Sequence, residues 1–216
     1  MMAPVLFSVG LKTISFMNNR YHKIQFLLSA RDIEQLPFDE GREVAFAGRS
    51  NAGKSSALNV ICQQKSLART SKTPGRTQMI NFFQIEPAHY LVDLPGYGYA
   101  KVPEAIRRHW RYALERYFNE RQALCGLILL MDVRHPLTDL DQQMLGWCNH
   151  RQLPVHILLT KADKLKRGPA ATALQQVRRA THLNYPQASV QLFSALVKIG
   201  VDEARGQLDK WLYPSS

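Results

Sequence analysis

Gly48-Arg49-Ser50-Asn51-Ala52-Gly53-Lys54-Ser55 is an uninterrupted GxxxxGK(S/T) stretch, and its flanks decide how it is read. Glu43 to Ala47, just before it, reads as a strand, and Ser55 to Gln63, just after it, reads as a helix. A glycine-rich turn from strand into helix is built to hold phosphate. Gly48 and Gly53 let the backbone turn so that successive N–H groups, with the N-terminus of the following helix, surround an anion. In that arrangement Lys54 reaches the β and γ phosphates and Ser55 sets its hydroxyl on Mg²⁺. A surface turn that happens to hold Gly and Lys is the competing reading, and the strand-to-helix context argues against it.

Outward from this loop, apolar runs of strand length alternate with segments of helical period, the pattern of a mainly parallel sheet covered by helices on both faces. The expected strands are Glu43 to Ala47, Met79 to Ile85, Tyr90 to Asp93, Gly126 to Val133, Val155 to Thr160 and Val190 to Ser194. The helices are Ser55 to Gln63, Pro103 to Asn119, Asp139 to Asn149, Pro169 to His182 and Asp202 to Leu212. Within the second helix Ile106, Trp110, Ala113, Leu114 and Tyr117 form one stripe that should face the sheet. Only Glu86-Pro87-Ala88-His89 separates two of the strands, which predicts an antiparallel hairpin. The expectation is therefore α/β: a single P-loop domain over residues 25–213, a mainly parallel six-stranded sheet with one antiparallel edge strand and helices on both faces, and an N-terminal extension over residues 1–24.

Composition bounds the partners. The 216 residues carry 28 Lys and Arg against 17 Asp and Glu, a net charge of +11, and the pI is near 9.8. A nucleotide alone does not account for that excess, so a polyanion is expected, with nucleic acid the first candidate. Cys62, Cys125 and Cys148 are odd in number and widely spaced, which argues against disulfides and structural zinc. No apolar run approaches the roughly 18 residues of a membrane span, so a cytoplasmic protein without a membrane partner is expected, and a monomer. The first 31 residues contain no acid, yet Met1 lacks the basic flank and cleavage site of a secretory signal; an ordinary extension is favoured, with Met17 an alternative start.

Two further motifs define the ligand. Asp93-Leu94-Pro95-Gly96 ends a strand with an acid and then a glycine. Asp93 can hold Mg²⁺ through water, while the Gly96 N–H can sense a γ phosphate. Thr160-Lys161-Ala162-Asp163 ends a later strand on the edge where open α/β sheets bind ligands. A carboxylate at Asp163 accepts hydrogen bonds from N1–H and the N2 amine of guanine, neither of which adenine offers. Lys161 can lie over the purine, and Phe193-Ser194-Ala195 ends the last strand where a backbone N–H can meet the guanine oxygen.

In this order the elements resemble the translation-factor-like class of GTPases, and from Gln25 to Trp211 they resemble the EngB/YihA/YsxC family of bacterial ribosome-assembly GTPases. The residues that carry the resemblance are Gly48 to Ser56, Thr70-Ser71-Lys72-Thr73-Pro74-Gly75-Arg76-Thr77, Asp93 to Ala100, Asp132-Val133-Arg134-His135-Pro136-Leu137, and Thr160 to Asp163. The resemblance implies that Thr77 is the switch I threonine completing the Mg²⁺ shell, with Thr70 and Thr73 as fallbacks and Gly75 and Arg76 in the same nucleotide-facing loop. It implies a large ribosomal subunit precursor as partner. It further implies that Asn51 holds a K⁺ ion that acts much as an arginine finger does, against the plainer reading of an Asn that tolerates a turn. Candidate catalytic residues are thus Lys54, Thr77 and Asn51. Nucleotide contacts are Gly48, Arg49, Ser50, Asn51, Ala52, Gly53, Lys54, Ser55, Ser56, Gly75, Arg76, Thr77, Asp93, Leu94, Pro95, Gly96, Thr160, Lys161, Ala162, Asp163, Phe193, Ser194 and Ala195; metal ligands are Ser55, Thr77 and Asp93.

Two departures qualify the chemistry. Where small regulatory GTPases carry a water-orienting glutamine after the switch II glycine, this chain has Tyr97, which has no amide, so slow intrinsic hydrolysis is expected. Thr160 stands where Asn is usual in the guanine motif, which should weaken one stabilising hydrogen bond. After switch II, Arg107, Arg108, Arg111, Arg116 and Arg121 make a basic helix, read either as a phosphate-binding face or as a solvated one. Lys161, Lys164, Lys166 and Arg167 form a second group beside the nucleotide site. A P-loop kinase or ATPase, a non-enzymatic RNA-binding module and a direct role in cell division are the alternatives, and any division or septation defect is read as downstream of ribosome supply.

Overall fold

The computed structural model describes residues 20–68, 79–98 and 104–214. Its strands are β1 (Gln25–Ala30), β2 (Arg42–Gly48), β3 (Ile80–Glu86), β4 (His89–Asp93), β5 (Leu124–Asp132), β6 (Val155–Thr160) and β7 (Ala188–Leu192). Its α-helices are α1 (Lys54–Ile61), α2 (Glu104–Glu120), α3 (Asp139–His150), α4 (Arg167–Asn184) and α5 (Val201–Leu212). The strands make one seven-stranded sheet in the order β1-β3-β4-β2-β5-β6-β7. β3 is antiparallel to both neighbours, β1 and β4, and every other pairing is parallel.

The expected α/β sheet is therefore present with one strand more than the six read from the sequence. β1 escaped because it lies at the sheet edge with little to bury. Only Ala30 is buried, Phe26 and Leu27 are 56% and 41% exposed, and a bulge between Phe26 and Leu28 breaks its alternation. The opposed strand is β3, which β1 covers. The β3–β4 hairpin turns through Pro87-Ala88, with Ala88 at φ +63°.

Alternate residues of each central strand enter opposite cores, as the period of a strand requires. Ala45, Ala47, Leu127, Leu129 and Ile157 face α2, α3 and α4, while Val44, Phe46, Ile128, Leu130 and Leu158 face α1 and α5. Leu114 and Tyr117 of the expected α2 stripe are buried, joined by Phe118. Within the segment 1–24, Tyr21 and Ile24 are buried in the α1/α5 core, and the Tyr21 hydroxyl donates to Asp209 Oδ1 at 2.8 Å. Cys62 and Cys148 are buried and Cys125 half-buried, all as free thiols.

The basic reading of α2 needs correcting at two residues. Arg121 is 6% exposed; its Nε donates to Glu43 Oε1 at 2.9 Å, its Nη2 pairs with the same carboxylate, and Nη1 donates to Pro37 O at 2.8 Å. Arg116 pairs with Glu34 at 2.7 Å and Glu120 at 2.8 Å. Arg121 is thus a structural residue buried away from any partner, while Arg116 stays at the surface with its charge offset by two exposed carboxylates.

Candidate nucleotide-binding site

Strand register explains how motifs far apart in sequence meet. β4, β2, β5 and β6 are adjacent and parallel, with Phe46 level with Asp93, Gly48 with Leu130, and Asp132 with Thr160. The segments leaving these strands therefore emerge together at the carboxyl edge. Gly48 must be glycine, because a Cβ there would lie 2.9 Å from Leu130 O; Gly53 has φ +92°, a conformation that L side chains rarely adopt. Asn51 also has a positive φ, +63°, so the turn-tolerant reading of this Asn is met by the backbone itself.

Lys54, at the start of α1, forms an ion pair with Asp93 at the end of β4, and the two side chains are 10% and 4% exposed. The lysine is thus aimed across the mouth of the loop at the acid expected to serve Mg²⁺. Leu94 N donates to Phe46 O at 3.0 Å, and Ser50 N donates to Tyr97 O at 2.8 Å, so the Asp93-Leu94-Pro95-Gly96 turn lies directly against the phosphate loop. The Tyr97 hydroxyl donates to Asp141 Oδ1 at 2.8 Å. Burial and the Asp141 carboxylate push the Tyr97 phenol well above its usual range. Asp141 Oδ2 in turn accepts from the Thr138 N–H at 3.0 Å and hydroxyl at 2.8 Å, which locks the start of α3. This latch between switch II and α3 was missed; the Thr138-x-x-Asp141 spacing is the one signal that could have found it.

Thr160 does more than the sequence reading allowed. Its Oγ1 is 2.6 Å from Ala52 O and 3.1 Å from Met131 O, and it is 3% exposed. A hydroxyl has one proton, so the shorter contact to the phosphate loop is the principal bond. Thr160 therefore keeps a link between guanine motif and phosphate loop, from a shorter side chain than Asn. Lys161 adds a second: with φ +57°, it directs Nζ to Asn51 O at 2.7 Å and to Asp132 Oδ2 at 3.0 Å. The Arg134 guanidinium first, and Lys161 as well, hold the Asp132 carboxyl well below the usual carboxylate range.

Asp163 follows in a short 3-10 turn, Ala162–Lys164. Its Oδ1 accepts from the Ser194 hydroxyl at 2.5 Å, which keeps the carboxylate ionised by lowering its pKa, and Lys164 approaches Oδ2 at 3.3 Å. Ala162 N donates to Phe193 O at 3.1 Å, tying the guanine motif to the segment after β7. Ser194 N is committed to Ile199 O at 3.0 Å, whereas Ala195 N–H makes no bond among the described residues. Ser55 and Ser56 sit in the first turn of α1, half-buried and exposed respectively. Gly75, Arg76 and Thr77, with the fallbacks Thr70 and Thr73, lie outside the described residues. A cleft of about 150 Å³ lies behind the loop, lined by Arg49 to Ala52, Asp132, His135 and Asp141.

A phosphate loop, a strand-ending acid and a purine motif gathered along one parallel edge define a P-loop GTPase. The sequence model of a family described as 50S ribosome-binding GTPase matches residues 43–161. The chain belongs to the EngB family of GTP-binding proteins. It is 59% identical over 198 residues to the probable GTP-binding protein EngB of Nitrosococcus oceani, covering 91% of this chain and 98% of that one. To the EngB of Escherichia coli O1:K1 / APEC it is 55% identical over 201 residues, 93% of this chain and 94% of the other. Its fold matches a crystal structure of a probable GTP-binding protein engB with a TM-score of 0.65 at 16% identity, over 80% of this chain and all of that chain. It also matches Era in complex with MgGDPNP and nucleotides 1506-1542 of 16S ribosomal RNA, with a TM-score of 0.61 at 21% identity, over 82% of this chain and 58% of that one. GTP hydrolysis is the activity of this family.

Proposed function

We propose that this GTPase acts as a nucleotide-dependent switch in the assembly of the large ribosomal subunit. The observation that carries the reading is the convergence of Lys54, Asp93 and Asp163 on one sheet edge, with switch II laid against the phosphate loop. GTP threads its phosphates through Gly48 to Ser56 and its guanine onto Asp163, with Lys161 over the ring and the Ala195 N–H on the guanine oxygen. Lys54 exchanges its carboxylate partner for phosphate oxygens, which frees Asp93 for Mg²⁺.

Ser55, Asp93 and Thr77 supply the oxygen donors that suit a hard cation, and the bound ion neutralises charge on the phosphates. The Tyr97 hydroxyl, bonded to Asp141, is not placed to orient water. Intrinsic hydrolysis is slow; Asn51 would hold a K⁺ ion, which would supply positive charge beside the phosphates, and the ribosomal partner is the other source of acceleration. The family description supports a large-subunit partner, and the charge of +11 is consistent with a polyanionic one. The protein works as a cytoplasmic monomer, and normal division and septation depend on it through ribosome supply. No helix among the described residues is long and apolar enough to cross a membrane.

Single-turnover phosphate release, measured in K⁺ and in Na⁺ with and without purified large subunits, tests the catalytic part. Acceleration by K⁺ or by subunits is expected; equal rates in all four conditions would remove it. Asp163→Asn tests the base: its amide suits the xanthine carbonyl, so GTP binding should fall about a hundredfold while xanthosine triphosphate binding rises. Unchanged GTP affinity would sink the assignment of Asp163. Cosedimentation with large subunits in GTP-analogue and GDP states tests the switch, which no difference between states would refute.

A further inference from the structure

Between Lys164 and Val201 the chain has six cations, Lys164, Lys166, Arg167, Arg178, Arg179 and Lys198, and no Asp or Glu. In the fold this segment forms α4 and then β7, the last strand of the sheet, whose far edge no other strand covers among the described residues. At 100° per residue Arg167, Gln175, Arg178 and His182 fall within about 80° of one another on α4, and all four are exposed. Arg167 and Arg178 stand about 16 Å apart along the helix.

Beyond Arg178 the stripe opens into a groove of about 470 Å³ between α4 and the β7 edge, lined by Arg178, Arg179, Thr181, His182 and Ser189 among others, with no carboxylate in its wall. Arg178 reaches Val190 O at 3.3 Å, which holds it across the groove. Lys166, Arg167, Arg179 and Lys198 have no carboxylate partner among the described residues. α2 differs: Glu104, Glu115 and Glu120 interrupt its arginines, Arg116 is paired at the surface with Glu34 and Glu120, and Arg121 just beyond it is buried against Glu43. Among the described residues, cations without a carboxylate partner therefore gather beside the guanine loop, while α2 keeps Arg108 and Arg111 among its acids.

We infer that the α4–β7 face is the RNA-binding surface of this protein, with Arg178 and Arg179 contacting the phosphate backbone of ribosomal RNA. The inference rests on the ribosomal partner proposed above and adds where that partner is held. Phosphate contact asks for exposed cations without a competing carboxylate; Arg178 and Arg179 are exposed, Arg178 is held by the Val190 carbonyl, and no carboxylate lines the groove between them and β7. Because α4 begins just after Asp163, RNA laid along the stripe reaches the rim of the guanine pocket, so bound RNA and bound nucleotide sense each other there.

The test uses the full chain, purified bacterial large ribosomal subunits, and protein-free rRNA extracted from them, with cosedimentation across a salt series. Arg178→Glu with Arg179→Glu should weaken binding to both at least about tenfold and reduce the salt slope by roughly 1.5, while fluorescent GDP binding and Tm stay as in the wild type. Arg178→Lys with Arg179→Lys should bind nearly as the wild type, since it keeps both charges. If the double reversal lowers Tm, Arg179→Ala replaces it, with a several-fold loss and a slope smaller by about 1 expected. Unaltered affinity and slope in the reversed variant overturn this surface and leave the ribosomal reading standing. A wild type that binds subunits but not extracted rRNA also overturns it, because the contact is then to ribosomal protein. Failure of the wild type to bind subunits at all removes the ribosomal reading, and this inference with it.

Discussion

Thr160 shows how one side chain joins two motifs. Its hydroxyl, buried at the end of β6, bonds the Ala52 carbonyl of the phosphate loop, so removing it leaves that carbonyl without its donor. Thr160→Ala should cost about 1–2 kcal/mol of folding stability and weaken GTP binding by a few-fold. Thr160→Ser should restore most of both. Chemical denaturation and nucleotide titration decide this: equal loss in the Ser and Ala variants would mean that the methyl group's packing, not the hydroxyl, matters. Asp163 was legible from the sequence because guanine demands a carboxylate; the bond from Ser194 that holds it ionised was not, since 31 residues separate the two. The roles of Asn51 and Tyr97 divide in the same way. Their positions were readable, but that Asn51 adopts a positive φ and that Tyr97 is held by Asp141 depend on neighbours from other elements.

Elements are locked by a few buried polar pairs. Glu43, fully buried on β2, faces Arg121 just beyond α2, and burial pushes its carboxyl up while the guanidinium works against that rise. Arg121→Ala strands a buried carboxylate, so a loss of about 3–5 kcal/mol is expected, whereas Arg111→Ala on the exposed face of the same helix should change stability by less than about 0.5 kcal/mol. Similar melting temperatures for the two variants would contradict the structural role given to Arg121. At the opposite edge His156 bonds Ser189 and Gln191, both at 2.7 Å, and so pins β7 to β6. Burial, with a smaller contribution from Lys210, lowers its pKa. A folded value below the unfolded one means that its stabilisation is whole above about pH 6.5 and is lost as pH falls from there. The Tm advantage of wild type over His156→Gln should therefore be larger at pH 7.5 than at pH 5.5; a constant difference would show that His156 does not titrate in this range.

For the whole molecule, ligand and fold are linked, because the site is assembled from four strands and exists only when all of them pair. GDP at a hundred times its Kd should stabilise the chain by about 2.7 kcal/mol, which for a domain of this size raises Tm by roughly 5–10 °C. ADP at the same concentration should leave Tm unchanged, and an equal rise with ADP would contradict guanine selection. A neighbour-by-neighbour view also explains where basic charge is available. Counting arginines along α2 suggested a phosphate-binding face, but Glu34 and Glu43, remote in sequence, return in the fold to neutralise two of them. In the acid-free run after Asp163 only Lys164 meets a carboxylate among the described residues, that of Asp163 itself, so most of its charge survives folding.

The sequence by itself determined the α/β class, the phosphate loop, the acid after β4 and the guanine motif, because each depends on short-range geometry: a turn, a strand end, a helix start. Strand order, the edge strand β1, the Thr160 and Lys161 links to the phosphate loop and the Tyr97–Asp141 latch were decided only by the tertiary structure. These require residues tens to more than a hundred positions apart to come within hydrogen-bond distance, and no local periodicity records which distant partner closes the gap.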